Sequence, residues 1–408
     1  MPETYTHPFD RDLLTPQFLA DPYGYYRQLR DESPVFWSER LQAWVLTRYA
    51  DVKAALHDSR LNSGDRIAAI MRGLPEAERP QFQPLADHLN RWLAFVDPPD
   101  HTRLRRLVTQ AFTPRMMDDL RPAIQAIVDE LLDAVAGQAR FDVMQALAFP
   151  LPATVIAALL GIPPGDREDF RRWSNAIGRF VSGGIATVER AAHAQDSVYR
   201  LRDYLHALAD NRRRSPGGDL LSALVNLEDQ GDTLSHDELI SMCVQLLFAG
   251  HETTEGSTAL GLLALFHNPD QLERLRRQPE LLNSAVEETL RYDTSVQRQA
   301  RVVSQDMEFG AVRLQRGQYV LAFIASANRD PAVFADPDQF DIARRPNPHL
   351  SFGRGIHYCL GGPLARVELQ VIFASLLERF PRLQLAPQPL EYEVLLSLRK
   401  PRSLRLAV

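Results

Sequence analysis

Cysteine is scarce in this sequence, with two residues among 408, Cys243 and Cys359. Two cysteines cannot form the disulfide framework on which many small secreted proteins depend. Their scarcity excludes a disulfide-stapled fold and favours a reducing compartment, so we expect a cytoplasmic protein. Each cysteine must instead be a packed core residue or a reactive group.

The sequence also lacks a basic excess and a long hydrophobic run. Lys and Arg number 46 against 52 Asp and Glu, a net charge of −6, which provides no global positive field for nucleic acid. The apolar stretches from Phe149 to Ile162 and from Thr258 to Phe266 are too short, or too interrupted by proline, for the about 20 residues that cross a bilayer. Met1 to Asp10 has neither the basic region nor the apolar core of a signal peptide. We therefore expect neither nucleic acid nor membrane as a partner.

The hydrophobic fraction of 45% and the chain length allow a large core. Helical periodicity dominates the middle of the chain, while short β-prone runs occur near both ends. No internal repeat or low-complexity linker divides the chain, so the patterns predict a mainly α fold with a minor β part, as a single domain over residues 1–408. The expected α-rich core covers about 99–292 and 349–380, and the β-rich parts cover about 34–47, 299–325 and 385–408.

One segment combines glycine, histidine and cysteine between Ser351 and Pro363. Its glycines let the backbone turn tightly and approach a flat ligand, because no Cβ intervenes. Cys359 precedes a predicted helix start at Pro363, where amide groups and the positive helix end favour a thiolate over a thiol. Such a thiolate can be a nucleophile or a metal ligand, while the alternative is a buried cysteine in a glycine-rich turn. A zinc site at His357 and Cys359 falls short of the usual four ligands.

The pattern Phe-Gly-x-Gly-x-His-x-Cys-x-Gly in this segment resembles the haem-binding loop of the cytochrome P-450 family. The resemblance implies a P-450-like unit enclosing haem b, iron protoporphyrin IX. It makes Cys359 the thiolate ligand of the iron and His357 a hydrogen-bond donor to a haem propionate. Phe352, Gly353 and Gly361 complete the loop around the cofactor.

A second motif, Ala-Gly-His-Glu-Thr-Thr, interrupts a long apolar helix predicted from Asp237 to His267. Buried Thr and Glu are costly unless they are hydrogen-bonded or used, although a solvated stripe is the alternative. The motif resembles the oxygen-binding groove of the same family, which implies that Ala249 and Gly250 face the cofactor. Thr253 then delivers protons to dioxygen and Glu252 relays them from solvent.

Cationic side chains form a further group. His101 and Arg105 lie four residues apart on one predicted helical face, and Arg suits carboxylates through its bidentate fork. By resemblance, these two residues and Arg301 bind the haem propionates together with His357. Arg298, three residues before Arg301, is a competing candidate.

Glu288 and Arg291 share a helical face at a spacing that alone indicates little, since surface pairs of this kind are frequent. Their position before the cysteine segment resembles the Glu-x-x-Arg pair of the family. The resemblance makes them structural supports of the cysteine segment, with Arg344 as third member. Ile342 and Ala343 depart from the commonest Pro-x-Arg form at that third position.

The resemblance implies a monooxygenase that inserts one oxygen atom from dioxygen into a hydrophobic small molecule, such as a terpenoid, steroid, fatty acid or macrolide. A chain of 408 residues is too short for a fused reductase, so we expect a monomer that receives electrons from a ferredoxin or flavodoxin with its reductase, and ultimately from NAD(P)H. A basic patch with Arg103, Arg106 and Arg354 is a candidate docking site. A peroxide-using peroxygenase and a non-catalytic haem protein are the alternatives.

The substrate pocket is expected among apolar residues on several segments, with a mobile lid that includes the Gly183-Gly184 pair. The expected pocket residues are Leu93, Phe95, Leu246, Leu247, Val296 and Leu396.

Overall fold

The computed structural model describes residues 7–112, 114–182, 186–229 and 232–408. It is 59% helical and 10% strand, which confirms the predicted mainly α class with a minor β part. The α-helices are α1 Pro8–Asp12, α2 Pro16–Ala20, α3 Tyr23–Glu32, α4 Tyr49–His57, α5 Arg66–Arg72, α6 Gln83–Leu89, α7 Asp100–Ala111, α8 Pro114–Asp133, α9 Pro150–Leu159, α10 Arg167–Ser182, α11 Val188–Arg214, α12 Leu220–Val225, α13 His236–His267, α14 Pro269–Arg277, α15 Leu282–Tyr292, α16 Ile324–Ala327 and α17 Gly362–Arg379. Short 3-10 turns include Leu93–Phe95 and Gly355–His357.

The strands form small sheets around the helical core. They are β1 Val35–Ser38, β2 Ala43–Leu46, β3 Leu61–Asn62, β4 Arg140–Asp142, β5 Glu228–Asp229, β6 Asp232–Thr233, β7 Gln299–Val303, β8 Met307–Phe309, β9 Val312–Leu314, β10 Tyr319–Ala322, β11 Gln384–Leu385 and β12 Arg405–Ala407. The largest sheet has the order β1-β2-β10-β7-β3, with β2 and β10 parallel and its other neighbours antiparallel. Arg301 lies opposite Val320 in this sheet, so β7 fixes its position.

Helix α13 forms the centre of the helical core. Its 32 residues extend over about 48 Å at 1.5 Å per residue. A capping box fixes its start, because the Ser235 side chain accepts from the Glu238 amide and the Glu238 carboxylate accepts from the Ser235 amide. Helices α9, α10, α11, α15 and α17 pack against it and bury most of its surface. The polar residues in its middle therefore lie inside the molecule. None of the helices in the described ranges is long and apolar enough to cross a membrane.

The segment from Ser351 to Gly361, hereafter the cysteine loop, precedes α17. The Cys359 amide donates to the Phe352 carbonyl at 2.9 Å and closes the loop. Gly353 and Gly355 have φ values of +70° and +72°, in the left-handed region that favours glycine. A Cβ at Gly355 would also lie 2.6 Å from the Leu56 carbonyl oxygen at the end of α4. These positions therefore require glycine for both conformation and space.

A fully buried ion pair joins α15 to the coil before the cysteine loop. Arg291 Nε and a terminal nitrogen each donate to the Glu288 carboxylate at 2.7 Å, and neither side chain is exposed. Arg344 Nε donates to the same carboxylate at 3.1 Å. Arg291 also donates to the carbonyls of Asn328 and Pro337, so the buried charges are hydrogen-bonded on all sides. The structure thus brings together the three residues that the sequence suggested as a support.

Candidate active site

A cavity of about 330 Å³ lies between the middle of α13 and the cysteine loop. Helix α7, the start of α17, the turn before β7 and the residues preceding α7 complete its wall. Most of the residues predicted as site residues line it: Leu93, Phe95, His101, Arg105, Leu246, Ala249, Gly250, Thr253, Val296, Arg301, Phe352, His357, Cys359 and Gly361.

Several predicted site residues lie elsewhere. Leu247 packs into the main hydrophobic core, because adjacent helical residues are about 100° apart and only Leu246 of the two faces the cavity. Leu396 lines a separate small cavity of about 20 Å³ near Tyr26, so its expected place in the substrate pocket is corrected. Gly353 faces Gln299. The expected Gly183-Gly184 lid lies outside the described residues.

Cys359 is the cysteine on the cavity wall, whereas Cys243 is buried in the core. Burial raises the pKa of the Cys359 thiol. The amides of Gly361 and Gly362 and the guanidinium groups of Arg105 and Arg366 act in the opposite direction. The sequence predicted that backbone amides stabilise a Cys359 thiolate. These amides are in place, but in the protein without a bound metal burial raises the pKa of the thiol by more than the amides lower it. A metal ion bound to the sulfur removes this proton outright.

Buried basic side chains lie along one edge of the cavity. The rings of His101 and His357 have centroids 4.4 Å apart, and both nitrogens of His101 are buried without a partner in the described part of the chain. Burial lowers the pKa of His101 to about 4 and that of Arg301 to about 10. Asp97, whose carboxylate lies 3.8 Å from His357 Nε2, already accepts from backbone amides. The edge therefore holds more hydrogen-bond donors than one carboxylate can satisfy.

This donor set fits haem. Two propionates bring two negative charges, and buried histidine and arginine side chains are suitable hydrogen-bond donors for carboxylates. The unpartnered nitrogens of His101 are explained by such a ligand, because a buried polar atom without a partner is costly. The cavity also presents a thiol, the usual soft ligand of haem iron in one class of haem proteins.

The middle of α13 borders the cavity through Ala249, Gly250 and Thr253. Thr253 Oγ1 donates to the Ala249 carbonyl at 3.0 Å, a local bond from which the hydroxyl can rotate toward the cavity. A Cβ at Gly250 would lie 2.7 Å from the Ile156 side chain of α9. Glycine at this position therefore leaves room for the Ile156 side chain.

Glu252 points away from the cavity, toward α10. A Cβ at Gly178 of that helix would lie 2.6 Å from Glu252 Oε1, so the glycine makes room for the carboxyl group. The second oxygen of Glu252 is buried without a partner in the described structure. Burial raises the pKa of Glu252 to about 7, with Lys400 acting in the opposite direction. A group with this pKa can take up and release a proton near neutral pH.

The sequence reasoning missed Glu368, a buried carboxyl group of α17 that lines the cavity. Burial raises its pKa to about 8, and its partner is the hydroxyl of Thr254 on α13. The signal was present, because Glu368 follows Leu364 and precedes Ile372 by four residues, on the buried face of the helix. Arg66 of α5 was missed as well; it lines the cavity, and burial lowers its pKa to about 10.

The start of α17 is tied to α15 by a second ion pair that the sequence did not indicate. Arg366 donates to Glu287 at 2.6 Å, and its guanidinium carbon lies 4.2 Å from the centre of the Phe352 ring. His349 Nε2 contacts the same carboxylate at 3.0 Å. The ring of Phe352 in the cysteine loop is thereby held by a guanidinium group that is itself ion-paired with α15.

Comparison with known proteins identifies the chain. The family model described as Cytochrome P450 matches residues 35–405. Cytochrome P450 107B1 of Saccharopolyspora erythraea is 44% identical over 91% of this chain and 91% of its own, and 6-deoxyerythronolide B hydroxylase of the same organism is 39% identical over 92% of each. A crystal structure of P450BioI with an acyl carrier protein ligated to hexadec-9Z-enoic acid matches with a TM-score of 0.89 and 36% identity, covering 96% of this chain and 99% of that one.

Fold, cavity and relatives define an oxygen-inserting haem oxidoreductase. The chain belongs to the cytochrome P450 family and is a monooxygenase whose cofactor is haem.

Proposed function

We propose that this monooxygenase inserts one atom of dioxygen into an apolar small molecule, by hydroxylation or epoxidation, with Cys359 as the thiolate ligand of the haem iron. One observation carries the proposal: the Cys359 thiol and the Thr253 hydroxyl line the same cavity from two separate elements. When bound, the haem supplies the iron chemistry that activates dioxygen, and a thiolate ligand favours cleavage of the O–O bond.

The cationic edge of the cavity holds and orients the cofactor. His101, Arg105, Arg301 and His357 together donate to the two propionates, which satisfies the unpartnered nitrogens of His101. Phe352, Gly353 and Gly361 shape the cysteine loop, while Ala249 and Gly250 of α13 bound the opposite part of the pocket. The buried unit of Glu288, Arg291 and Arg344 keeps the loop in place.

Thr253 and Glu252 manage the protons. The reaction consumes substrate, dioxygen, two electrons and two protons, and yields the oxygenated product and one water. The Thr253 hydroxyl donates a proton at the cavity wall, and Glu252 holds the next proton behind it, because the pKa of Glu252 is raised to about 7. Lys400, which is ion-paired with Glu255 at 2.7 Å, lies close enough to influence that pKa.

Electrons come from a separate ferredoxin or flavodoxin, whose reductase oxidises NAD(P)H. Arg103 and Arg106, which the sequence suggested as docking residues, are ion-paired with acidic residues, among them Asp232. Ile356 of the cysteine loop is 50% exposed and supports docking on that face. The free thiols of Cys243 and Cys359 support a location in the reducing cytoplasm.

The substrate class is an apolar molecule of the terpenoid, steroid, fatty acid or macrolide type. Leu93, Phe95, Leu246 and Val296 give the cavity an apolar wall. A relative is named as the hydroxylase of a deoxyerythronolide, and a similar structure contains a fatty acyl chain on its carrier protein. These comparisons support both the macrolide and the fatty acid as substrate types.

Isotope labelling tests the function. The haem-loaded protein is screened with a library of apolar compounds for the spectral shift that accompanies displacement of water from the iron, and the hits are incubated with NAD(P)H, redox partners and heavy-isotope dioxygen. We expect one labelled oxygen atom in the product and reductant consumption that requires dioxygen. Equal turnover with hydrogen peroxide alone, without reductant, would indicate a peroxygenase instead.

A further inference from the structure

Arg66, the first residue of α5, lines the cavity but has no role in the haem site proposed above. The Tyr319 hydroxyl of β10 donates to the Arg66 carbonyl at 3.1 Å, which fixes the start of the helix. The Arg66 guanidinium carbon lies 4.7 Å from the centre of the Phe95 ring, another part of the cavity wall. Within the described ranges this guanidinium makes no hydrogen bond and no ion pair. Its charge therefore lies at the cavity wall without a direct anionic partner.

The Arg66 guanidinium lies at the edge of the cavity where Arg301 and His357 are found, hereafter the propionate edge. Burial and the charge of Arg66 lower the pKa of Arg301, whereas Asp97 raises it. Burial lowers the pKa of Arg66 as well, with Tyr319 and Asp97 acting in the opposite direction. The Asp97 carboxylate in turn lies 3.8 Å from His357 Nε2. Arg66 is therefore a neighbour of the residues to which the propionates are assigned.

Arg298, which the sequence left as a competing candidate for the propionate edge, contacts a different wall. Its guanidinium carbon lies 5.7 Å from the centre of the Phe323 ring. Burial lowers the pKa of Arg298, and Tyr26 is the group that raises it. Both aromatic residues line the separate small cavity. The additional cation at the propionate edge is therefore Arg66.

The balance of charge indicates what the propionate edge binds. Arg66, Arg105 and Arg301 bring three guanidinium groups to the cavity wall, and Asp97 is the carboxylate that acts on Arg66 and Arg301. His101, whose pKa burial lowers to about 4, adds a donor without a charge. A buried guanidinium without a carboxylate is costly. Two propionates raise the number of carboxylates to the number of guanidinium groups.

We propose that Arg66 is a fifth side chain that binds the haem propionates, in addition to His101, Arg105, Arg301 and His357. This assignment rests on the proposed haem site. A guanidinium can donate two parallel hydrogen bonds to one carboxylate, and its face remains free for the cation–π contact with Phe95. Arg66 of α5 and Arg301 of β7 then hold the same cofactor, so that haem ties α5 to the largest sheet.

Haem retention and vibrational spectroscopy of the holoprotein test the assignment without turnover. Wild type, Arg66→Gln and Arg66→Lys are mixed in the ferric state with an excess of a globin apoprotein that captures released haem, and the transfer rate is followed by absorbance. Resonance Raman spectra give the frequency of the propionate-bending vibration, which falls when a propionate loses a hydrogen bond. Arg72→Gln is the matched control, because Arg72 is an exposed arginine of the same helix.

We expect Arg66→Gln to release haem about tenfold faster or more, since a hydrogen bond to a charged group contributes at least the about 1.4 kcal/mol that a factor of ten represents. The propionate-bending frequency should fall in the same variant. Arg66→Lys should show smaller changes in the same directions, because an ammonium group cannot reproduce the paired donors of a guanidinium. Arg72→Gln should match wild type in both measurements.

An unchanged propionate-bending frequency in Arg66→Gln would overturn the proposal, even if haem were released faster, because that combination would show a structural effect alone. If Arg66→Gln does not fold, Arg66→Lys decides in the same way. Titration with hexadecanoate and hexadecan-1-ol covers the other possible anion. A variant with wild-type haem retention that binds only the acid less tightly would make Arg66 a substrate ligand and overturn the proposal. Failure of the haem site itself is separate and shows as absence of the thiolate-haem spectrum in the wild-type protein.

Discussion

At the scale of single residues, the site depends on polar groups that are buried where water cannot satisfy them. Glu252 and Glu368 lie inside the helical core, Glu252 beside Gly178 of α10 and Glu368 beside Thr254 of α13, whereas the Thr253 hydroxyl is bonded within its own helix at the cavity wall. Burial makes the two carboxyl groups weak acids near neutral pH. These groups can therefore exchange protons under ordinary conditions.

Replacing Thr253 by alanine should uncouple the reaction. A positioned proton donor contributes roughly 100-fold or more to a rate, so we expect product formation to fall by about that factor. Consumption of NAD(P)H and dioxygen should continue, with release of hydrogen peroxide. Thr253→Ser retains a hydroxyl and should keep most of the coupling. If Thr253→Ala formed product and peroxide in the wild-type ratio, Thr253 would not be the proton donor.

Glu368 should make stability depend on pH. Its pKa is raised from 4.5 in the unfolded chain to about 8 in the folded protein, so the unfolded state loses the proton first. The stability that protonated Glu368 contributes is fully present below its unfolded-state pKa of 4.5 and is lost as the pH rises through its folded-state pKa of about 8. The free energy of unfolding of Glu368→Gln, minus that of wild type, should therefore increase between these two pH values.

The matched control for Glu368 is Glu273→Gln, which changes an exposed residue of α14. The free energy of unfolding of Glu273→Gln, minus that of wild type, should stay nearly constant over the same pH range. Urea titrations at several pH values measure all three proteins. A difference for Glu368→Gln that does not vary with pH would show that this carboxyl group titrates normally.

At the scale of elements, the cysteine loop is held by its glycines and by the ion pairs of α15. The loop turns through left-handed backbone at Gly353 and Gly355 and passes within van der Waals contact of α4. Helix α15 then anchors the coil before the loop through Glu288 and the helix after it through Glu287. The geometry around Cys359 is thus fixed from both directions along the chain.

Gly355→Ala should destabilise the cysteine loop by more than the cost of its left-handed backbone alone. Gly310→Ala is the control, since Gly310 also has a positive φ, of +58°, but has open space around its Cβ position. Left-handed backbone at a non-glycine residue costs about 1–2 kcal/mol, which should be the whole effect at Gly310. At Gly355 the clash with Leu56 should add to this cost and lower haem content per protein, measured by absorbance. Equal effects of the two substitutions would contradict the packing argument.

Breaking the buried pair of α15 should be far more damaging than breaking an exposed pair. Arg291→Ala leaves Glu288 buried without its main partner, which costs about 3–5 kcal/mol. Arg277→Ala removes a partner of Glu273 in a pair whose side chains are 75% and 48% exposed, and should cost less than about 1 kcal/mol. Urea unfolding measures both. Similar losses in the two variants would show that the buried pair is not a structural support.

The features that the sequence predicted at this scale are those that depend on local pattern. Helix α13 begins at His236, one residue before the expected start at Asp237, because its capping box and apolar periodicity are both local. The positions of Leu247, Leu396 and Glu252 relative to the cavity could not be predicted, since they depend on how α13 faces α10 and on the path of the C-terminal segment. Glu368 was missed and the role of Arg298 was left undecided, because the burial of both residues follows from packing between distant segments.

At the scale of the whole molecule, one cavity combines elements that lie far apart in sequence. Residues from α7, α13, β7 and the cysteine loop meet around it, and its lining includes both basic side chains, such as His101 and Arg301, and apolar side chains, such as Leu93 and Val296. The same cavity therefore has donors for a charged cofactor and an apolar wall for a substrate.

The most direct test of the account is the absorption spectrum of the reduced carbon monoxide complex. We predict that the wild-type protein and Cys243→Ala show the red-shifted Soret band of thiolate-ligated haem, because Cys243 is buried away from the cavity. Cys359→Ser should lose that band. A Soret band at the position typical of histidine-ligated haem in the wild-type protein, or its red shift retained in Cys359→Ser, would contradict the assignment of Cys359 on which the proposed function depends.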